Sequence, residues 1–225
     1  MAAKISIVIP TLNAGDSLPA CLEALIEGLT AGLIRELIVT DGGSQDVTCA
    51  IADEAGAHLV SGPASRGGQL RRGCAEARAD WLLVLHADTV LERGWSQVVG
   101  EHIEGSGQGA YFRLAFRAGG FAPAWVAGWA NLRSRLFGLP YGDQGLLVRR
   151  AVYERVGGYP DQPLMEDVAL VRALPRLTGL PVRATTSAKR YAKAGWLRRG
   201  ARNLWTLTRY FAGADPQKLA ESYWR

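Results

Sequence analysis

Acidic residues in this chain fall where apolar runs give way to short polar loops. Asp41 ends the run in RELIVTDGGSQD, Asp88 ends the run in WLLVLHADT, and Glu166-Asp167 opens an amphipathic segment in PLMEDVALVRAL. In an open α/β sheet, ligands gather outside the carboxyl ends of the strands. A carboxylate there can accept hydrogen bonds from a ribose or base, hold a hard divalent cation, or take a proton from a hydroxyl. Each position also has a plainer use. Asp41 can cap its own turn or the next helix, and acids at a helix start are favoured by the macrodipole.

Two basic groups accompany them. His86, two residues before Asp88, offers a nitrogen ligand or a phosphate contact, or simply a hydrogen-bonded strand end. Arg66 in SRGGQLRRG sits in a Gly-containing loop before a helix, where an anion or a base edge can be met. The run Gly105-Ser-Gly107-Gln-Gly109-Ala110 resembles a dinucleotide fingerprint, but it precedes an expected strand instead of following one. No G-x-x-x-x-G-K-[ST] loop is present, which argues against a P-loop NTPase.

The elements that must carry these groups follow from the apolar pattern. Strands are expected at Ile5–Pro10, Glu36–Thr40, His58–Ser61 and Trp81–Leu85, all short and apolar like buried parallel strands. Helices lie between them. The first is capped by Asp16 or Ser17, with a stripe of Leu18, Leu22, Leu25 and Leu29; the second is capped by Asp46; the third covers QLRRGCAEARA. Alternating strand and helix reads as a doubly wound, mostly parallel sheet. Beyond Asp88, the pattern predicts strands at Ala110–Arg117 and Gly145–Val148 and helices over 121–137 and 166–177. A basic, aromatic tail over 190–213 carries Leu197, Ala201, Leu204, Trp205, Thr208 and Phe211 at helical spacing. That stripe would dock on the domain or lie on a membrane surface, and Arg198, Arg199 or Arg202 could neutralise a diphosphate.

Composition narrows the classes. At 225 residues with 48% hydrophobic and 21% charged residues, the chain is an ordinary globular domain. A net charge of +5 suits an anionic ligand or membrane surface, but no nucleic-acid motif accompanies it. Cys21, Cys49 and Cys74 are scattered, with no C-x-x-C, so neither a disulfide framework nor a zinc site is expected. MAAKISIVIP runs straight into a strand, without the pattern of a signal peptide, and no apolar run is long enough to span a bilayer. A cytoplasmic protein is expected, with peripheral contact to the cytoplasmic membrane face through residues 195–213 left open.

In order and spacing, IVIPTLNAGDSL, ELIVTDGGSQD, LLVLHADT and LMEDVAL resemble glycosyltransferase family 2 on the GT-A fold, from Ile5 to about Leu177. HAD, RGGQL and the ending YFAGADPQKLAESYW look like a compact bacterial subgroup of transferases associated with radical-SAM and selenium-domain proteins. The resemblance implies one α/β domain over 1–225, a mostly parallel sheet flanked by helices. Residues 1–90 would bind nucleotide, 91–189 would hold acceptor and catalytic groups, and 190–225 would form a helical extension. It implies that Thr11, Leu12 and Asn13 meet the nucleotide and Asp41 reads uracil or ribose. Arg66, Gly67 and Gln69 close over the base. His86 and Ala87 border Asp88, which holds Mn2+ or Mg2+. Asp167 is the base, with Glu166 beside it.

The implied reaction is metal-dependent, inverting transfer from a nucleoside-diphosphate sugar, UDP-linked by expectation, to an unidentified acceptor. Two departures bear on it: Ala14 stands where the family commonly has Glu, and His86 where it commonly has Asp. They motivate a rival, a non-catalytic nucleotide-sugar binding protein. A nucleotidyltransferase is the other rival, opposed by the lack of Lys or Arg in TLNAGDSLP.

Overall fold

The computed structural model describes residues 4–224. The first half alternates as expected: β1 (Ile5–Thr11), α1 (Leu18–Thr30), β2 (Ile34–Asp41), α2 (Thr48–Glu54), β3 (His58–Ser61), α3 (Arg66–Ala75) and β4 (Trp81–Val84). Then follow β5 (Val90–Leu91), α4 (Trp95–Gly105), β6 (Ala110–Phe116), α5 (Phe121–Phe137), a 3-10 turn at Gly142–Gln144, β7 (Leu146–Arg149) and α6 (Arg150–Arg155). The chain closes with α7 (Glu166–Ala173), β8 (Thr178–Thr186), α8 (Lys189–Ala194), α9 (Trp196–Phe211) and α10 (Pro216–Trp224).

One sheet runs β3-β2-β1-β4-β7-β6-β8-β5. Its β3-β2-β1-β4 half is parallel, β7 is antiparallel to both its neighbours, and β6 and β8 pair in parallel. Ile5, Ile7, Ile9, Leu83 and Leu85 bury one face under α1 and α4, while Val8, Ile38, Leu82 and Val84 bury the other under α3. Burial on both faces explains why these strands read as unbroken apolar runs.

Several local expectations change. The α1 stripe is Leu18, Cys21, Leu25 and Gly28, while Leu29 faces solvent. Gly28 replaces a side chain because Trp95 fills the space: a Cβ there would lie 2.5 Å from its ring. Ser17 holds the N-cap position of α1 but makes no cap; its hydroxyl donates back to the Ala14 carbonyl. Val47, not Asp46, holds the N-cap position of α2; Asp46 lies one residue earlier and accepts from the Thr48 N–H at 3.0 Å. Helix α3 begins at Arg66 and takes both glycines into its first turn, because the Ser65 hydroxyl accepts from Gly68 N–H and starts it early. Helix α7 ends at Ala173, not 177, since Leu174 precedes Pro175 and is forced extended. Strand β8 was unforeseen. Pro181 interrupts its pattern, and the structure accommodates it where the β6–β8 register shifts.

The tail departs furthest. Helix α9 turns its apolar stripe outward: Leu197 is 70% and Trp205 63% exposed, and Leu204 and Phe211 are also exposed. Arg199, Thr206 and Leu207 are buried instead. Helix α10 anchors the tail, packing Leu219 and Ala220 with Leu207 against Leu164, Met165 and Val168.

Candidate active site

The carboxyl ends of β1 and β4 open on a cleft of about 480 Å3, lined also by α3, the 3-10 turn, the start of α7 and the polar face of the tail. Thr11, Leu12, Asn13, Arg66, Gln69, His86, Ala87, Asp88, Glu166 and Asp167 all line it. Asp41 and Gly67 do not.

Asp41 is 2% exposed and organises the turn behind Thr11. Its Oδ1 accepts from the Thr11 hydroxyl at 2.9 Å and the Ser44 hydroxyl at 2.5 Å, and its Oδ2 from Gly43 and Ser44 N–H at 2.7 Å each. Burial pushes its pKa up, yet the bonds from Ser44, Thr11 and Gly43 outweigh that and hold it below the usual range. Asp41 therefore caps its own turn. Gly67 is a packing residue: its N–H donates to the Gln162 carbonyl, and a Cβ would lie 2.0 Å from the Pro160 carbonyl oxygen. Gln69 lines the cleft as a clamp, its Nε2 donating to the carbonyls of Thr11 at 2.7 Å and Thr40 at 3.0 Å.

Asp88 is half-buried and accepts no hydrogen bond among the described residues; the nearby charge of Arg190 faces it. Burial, reinforced by Arg66, lowers the His86 pKa well below its ordinary value, so the ring is neutral at pH 7. No cluster of three or more His, Cys, Asp or Glu suited to a metal occurs among the described residues. An uncommitted carboxylate beside a neutral imidazole nevertheless fits Mn2+ or Mg2+, ions that take one or two protein ligands and complete their shell with phosphate oxygens and water.

The acidic pair divides its duties. Met165 holds a left-handed φ of 64° just before α7, and with Asn13 (φ 50°) it is one of two such non-glycine residues among those described. Both line the cleft. Backbone strain of this kind costs on the order of 1–3 kcal/mol and concentrates at functional sites. Glu166 points inward and pairs with Arg66, Oε1 to Nε 3.1 Å, while its buried Oε2 has no hydrogen bond. Burial raises the Glu166 pKa, Arg66 opposes this and Asp167 adds to it. Asp167 stays half-exposed, held by the N–H of Gly142 at 2.8 Å on Oδ2 and by its neighbour Val168 on Oδ1.

Several lining residues escaped the sequence reading. Asp143 precedes a strand instead of ending one. Burial raises its pKa to about 6, Arg133 opposes the rise, and Asp167 and Asp88 promote it, so three carboxylates share this space. From the tail come Arg190, Tyr191, Asn203 and Tyr223, beside the expected Arg199. Arg199 Nη2 donates to Tyr223 Oη at 3.0 Å, Tyr223 Oη to Asn203 Oδ1 at 2.8 Å, and Asn203 Nδ2 to Tyr191 Oη at 3.0 Å. Of the three arginines foreseen for a diphosphate, Arg199 lines the cleft; Arg198 is exposed elsewhere and Arg202 packs on the Tyr223 ring. The visible signal was the i, i+4 spacing of Arg199 and Asn203.

A mixed sheet with carboxylates beyond its strand ends and a cationic closing helix is an α/β arrangement. The profile described as "Glycosyl transferase family 2" matches residues 6–144, and the chain belongs to that family. A PGL/p-HBAD biosynthesis glycosyltransferase of Mycobacterium tuberculosis is 32% identical over 170 residues, covering 70% of this chain; the match spans 64% of that relative's length. The fold resembles S. aureus TarS 1–349 in complex with UDP-GlcNAc (TM-score 0.61, 14% identity, 81% of this chain and 58% of that one). It also resembles glucosyl-3-phosphoglycerate synthase from M. tuberculosis in complex with Mn2+ and UDP-glucose (TM-score 0.56, 21% identity, 82% of this chain and 71% of that one). The architecture is thus the α/β fold of the GT-A glycosyltransferases.

Proposed function

We propose that the cleft moves a sugar from a UDP-sugar to an acceptor hydroxyl with inversion at the anomeric carbon. The observation that carries this reading is that Asp88 and Asp167 face one cleft while Asp41 is bonded within its own turn and Glu166 is paired with Arg66. The UDP-sugars held by the two fold neighbours support the donor class. The HAD, RGGQL and tail segments support kinship with the compact radical-SAM-associated subgroup.

Asp167 takes the proton of the acceptor hydroxyl, its carboxylate oriented by Gly142 N–H. The freed oxygen bonds to the anomeric carbon, and the bond from that carbon to the diphosphate breaks with its electron pair leaving on UDP. Arg66, Arg190 and Arg199 lie along the cleft where that negative charge grows. Thr11, Leu12 and Asn13 hold the nucleotide end, and Asp41 acts through the turn that supports them. Asp88, with His86 beside it, would hold a divalent cation, which when bound supplies charge neutralisation for the leaving diphosphate.

Thermal shift with UDP, GDP, CDP, ADP and their sugars, with and without Mn2+, tests this. A ligand at about 100 times its Kd adds about 2.7 kcal/mol of stability. The expected result is a Mn2+-dependent shift for uridine diphosphates, lost in Asp88→Ala. Absence of any nucleotide shift overturns the reading in favour of a non-catalytic protein. Release of pyrophosphate from a nucleoside triphosphate favours a nucleotidyltransferase.

A further inference from the structure

Helix α5 reverses the usual order of sizes. Its inward face is Pro123, Val126, Ala127, Ala130 and Ser134, while Phe121, Trp125, Trp129, Leu132 and Leu136 face solvent. Phe121 is 83% exposed. A helix selected only to pack on its domain would turn its tryptophans inward. Helix α9, packed beside α5, does the same with Leu197, Leu204 and Trp205. Two neighbouring helices thus present large apolar side chains, beyond the scattered exposure normal for a soluble surface.

Along the chain, the segments that carry these helices have charge of one sign. From residue 168 to 214 there is no Asp or Glu but ten Lys or Arg, and from 105 to 142 no acid but four Arg. Arg135 on α5, Lys193 on α8 and Arg198 on α9 are exposed. We propose that the outer faces of α5 and α9 form a docking surface for an anionic phospholipid bilayer. Tryptophan suits the bilayer interface, where an apolar ring and a polar N–H are both satisfied. The cations meet anionic headgroups at the same depth. A second copy of the chain is the weaker occupant, because it would bring one cationic region against another. No helix among the described residues is long and apolar enough to cross a membrane, so the contact is a lying-flat one. The opposite face of α9 carries Arg199 and Asn203 into the cleft, so docking holds the cleft beside the lipid surface.

The test uses the full chain and vesicles of phosphatidylcholine, alone or with about 30 mol % phosphatidylglycerol. Cosedimentation with the anionic vesicles and a blue shift of tryptophan emission are expected, with little binding to the neutral ones. The pair Trp129→Ser/Trp205→Ser should bind at least about tenfold more weakly, with an unchanged melting temperature because both rings are exposed. Arg135→Glu/Arg198→Glu should weaken binding to anionic vesicles, as should about 0.5 M salt. No binding to anionic vesicles, or binding unaltered in both pairs, overturns the proposal. A dimer in solution that the tryptophan pair abolishes, without vesicle binding, assigns the face to a second copy instead. The assay reads binding and not sugar transfer, so its failure leaves the proposed reaction untouched.

Discussion

After β2, Asp41 receives bonds from Thr11, Gly43 and Ser44 and sits behind the cleft; after β4, Asp88 receives none among the described residues and faces into it. Asp41 is the last residue of β2, and Asp88 stands four residues past the end of β4. Their neighbours differ. D-G-G-S brings two N–H groups and a hydroxyl onto its own aspartate, whereas H-A-D offers Asp88 no such donor. Asp41 is thus spent on its own turn, while Asp88 faces the cleft. The same division recurs within one dipeptide, where Glu166 is committed to Arg66 and Asp167 remains half-exposed in the cleft.

The sharpest way to break this comparison is Asp167→Asn. The amide keeps the shape but cannot take a proton, and general-base loss costs roughly 100-fold to 10,000-fold in rate. Steady-state transfer assays should show that loss in kcat with donor affinity nearly intact. Near-normal turnover would remove Asp167 from the role and turn attention to Asp143, whose buried Oδ1 lacks a hydrogen bond.

The partner residue should behave differently. Arg66→Met leaves the Glu166 carboxylate buried without its cation. Breaking a buried pair costs roughly 3–5 kcal/mol, and the one-third exposure of Arg66 places this case at or below the low end. The raised Glu166 pKa rises further without Arg66, so the group is neutralised by mild acid. Denaturant melts should therefore show a large loss at pH 8 and a smaller one at pH 5. An equal loss at both would mean that the lost contact is packing and not charge.

The parallel half was legible because strands buried on both faces give unbroken apolar runs with polar loops between them. Strand β8 was not, since Gly179 and Pro181 break its alternation and only pairing with β6 overrides them. The facing of α9 was hidden for another reason. Periodicity marks two faces of a helix but not which one meets the protein, and that choice depends on α5 and α10, distant in sequence. The cleft divides likewise. Asp88 and the Thr11–Asn13 loop were legible from strand ends, and Asp167 from an acidic helix start. Asp143, Tyr191 and Asn203 could not, because each is a lone polar residue whose meaning comes from what folding brings opposite it.

The smallest effect tests the buried member of the opening pair. In Asp41→Asn, the amide nitrogen cannot accept from the Gly43 and Ser44 N–H groups, so it must either face them or turn to the Thr11 and Ser44 hydroxyls, which would then have to accept instead of donate. One side loses its acceptor, a cost of about 1–3 kcal/mol. The wild-type carboxyl has a folded pKa below that of a free aspartate, so its contribution is complete above the free value and fades as pH falls through the lower, folded one. The stability gap between wild type and Asp41→Asn should be flat from pH 8 to about 5 and close below pH 4. If Asp41 serves the turn, UDP affinity at neutral pH falls only as far as the Thr11–Asn13 loop loosens. If it reads the base itself, affinity falls while the melting curves stay superimposed, and the contrast between the two strand-end aspartates collapses.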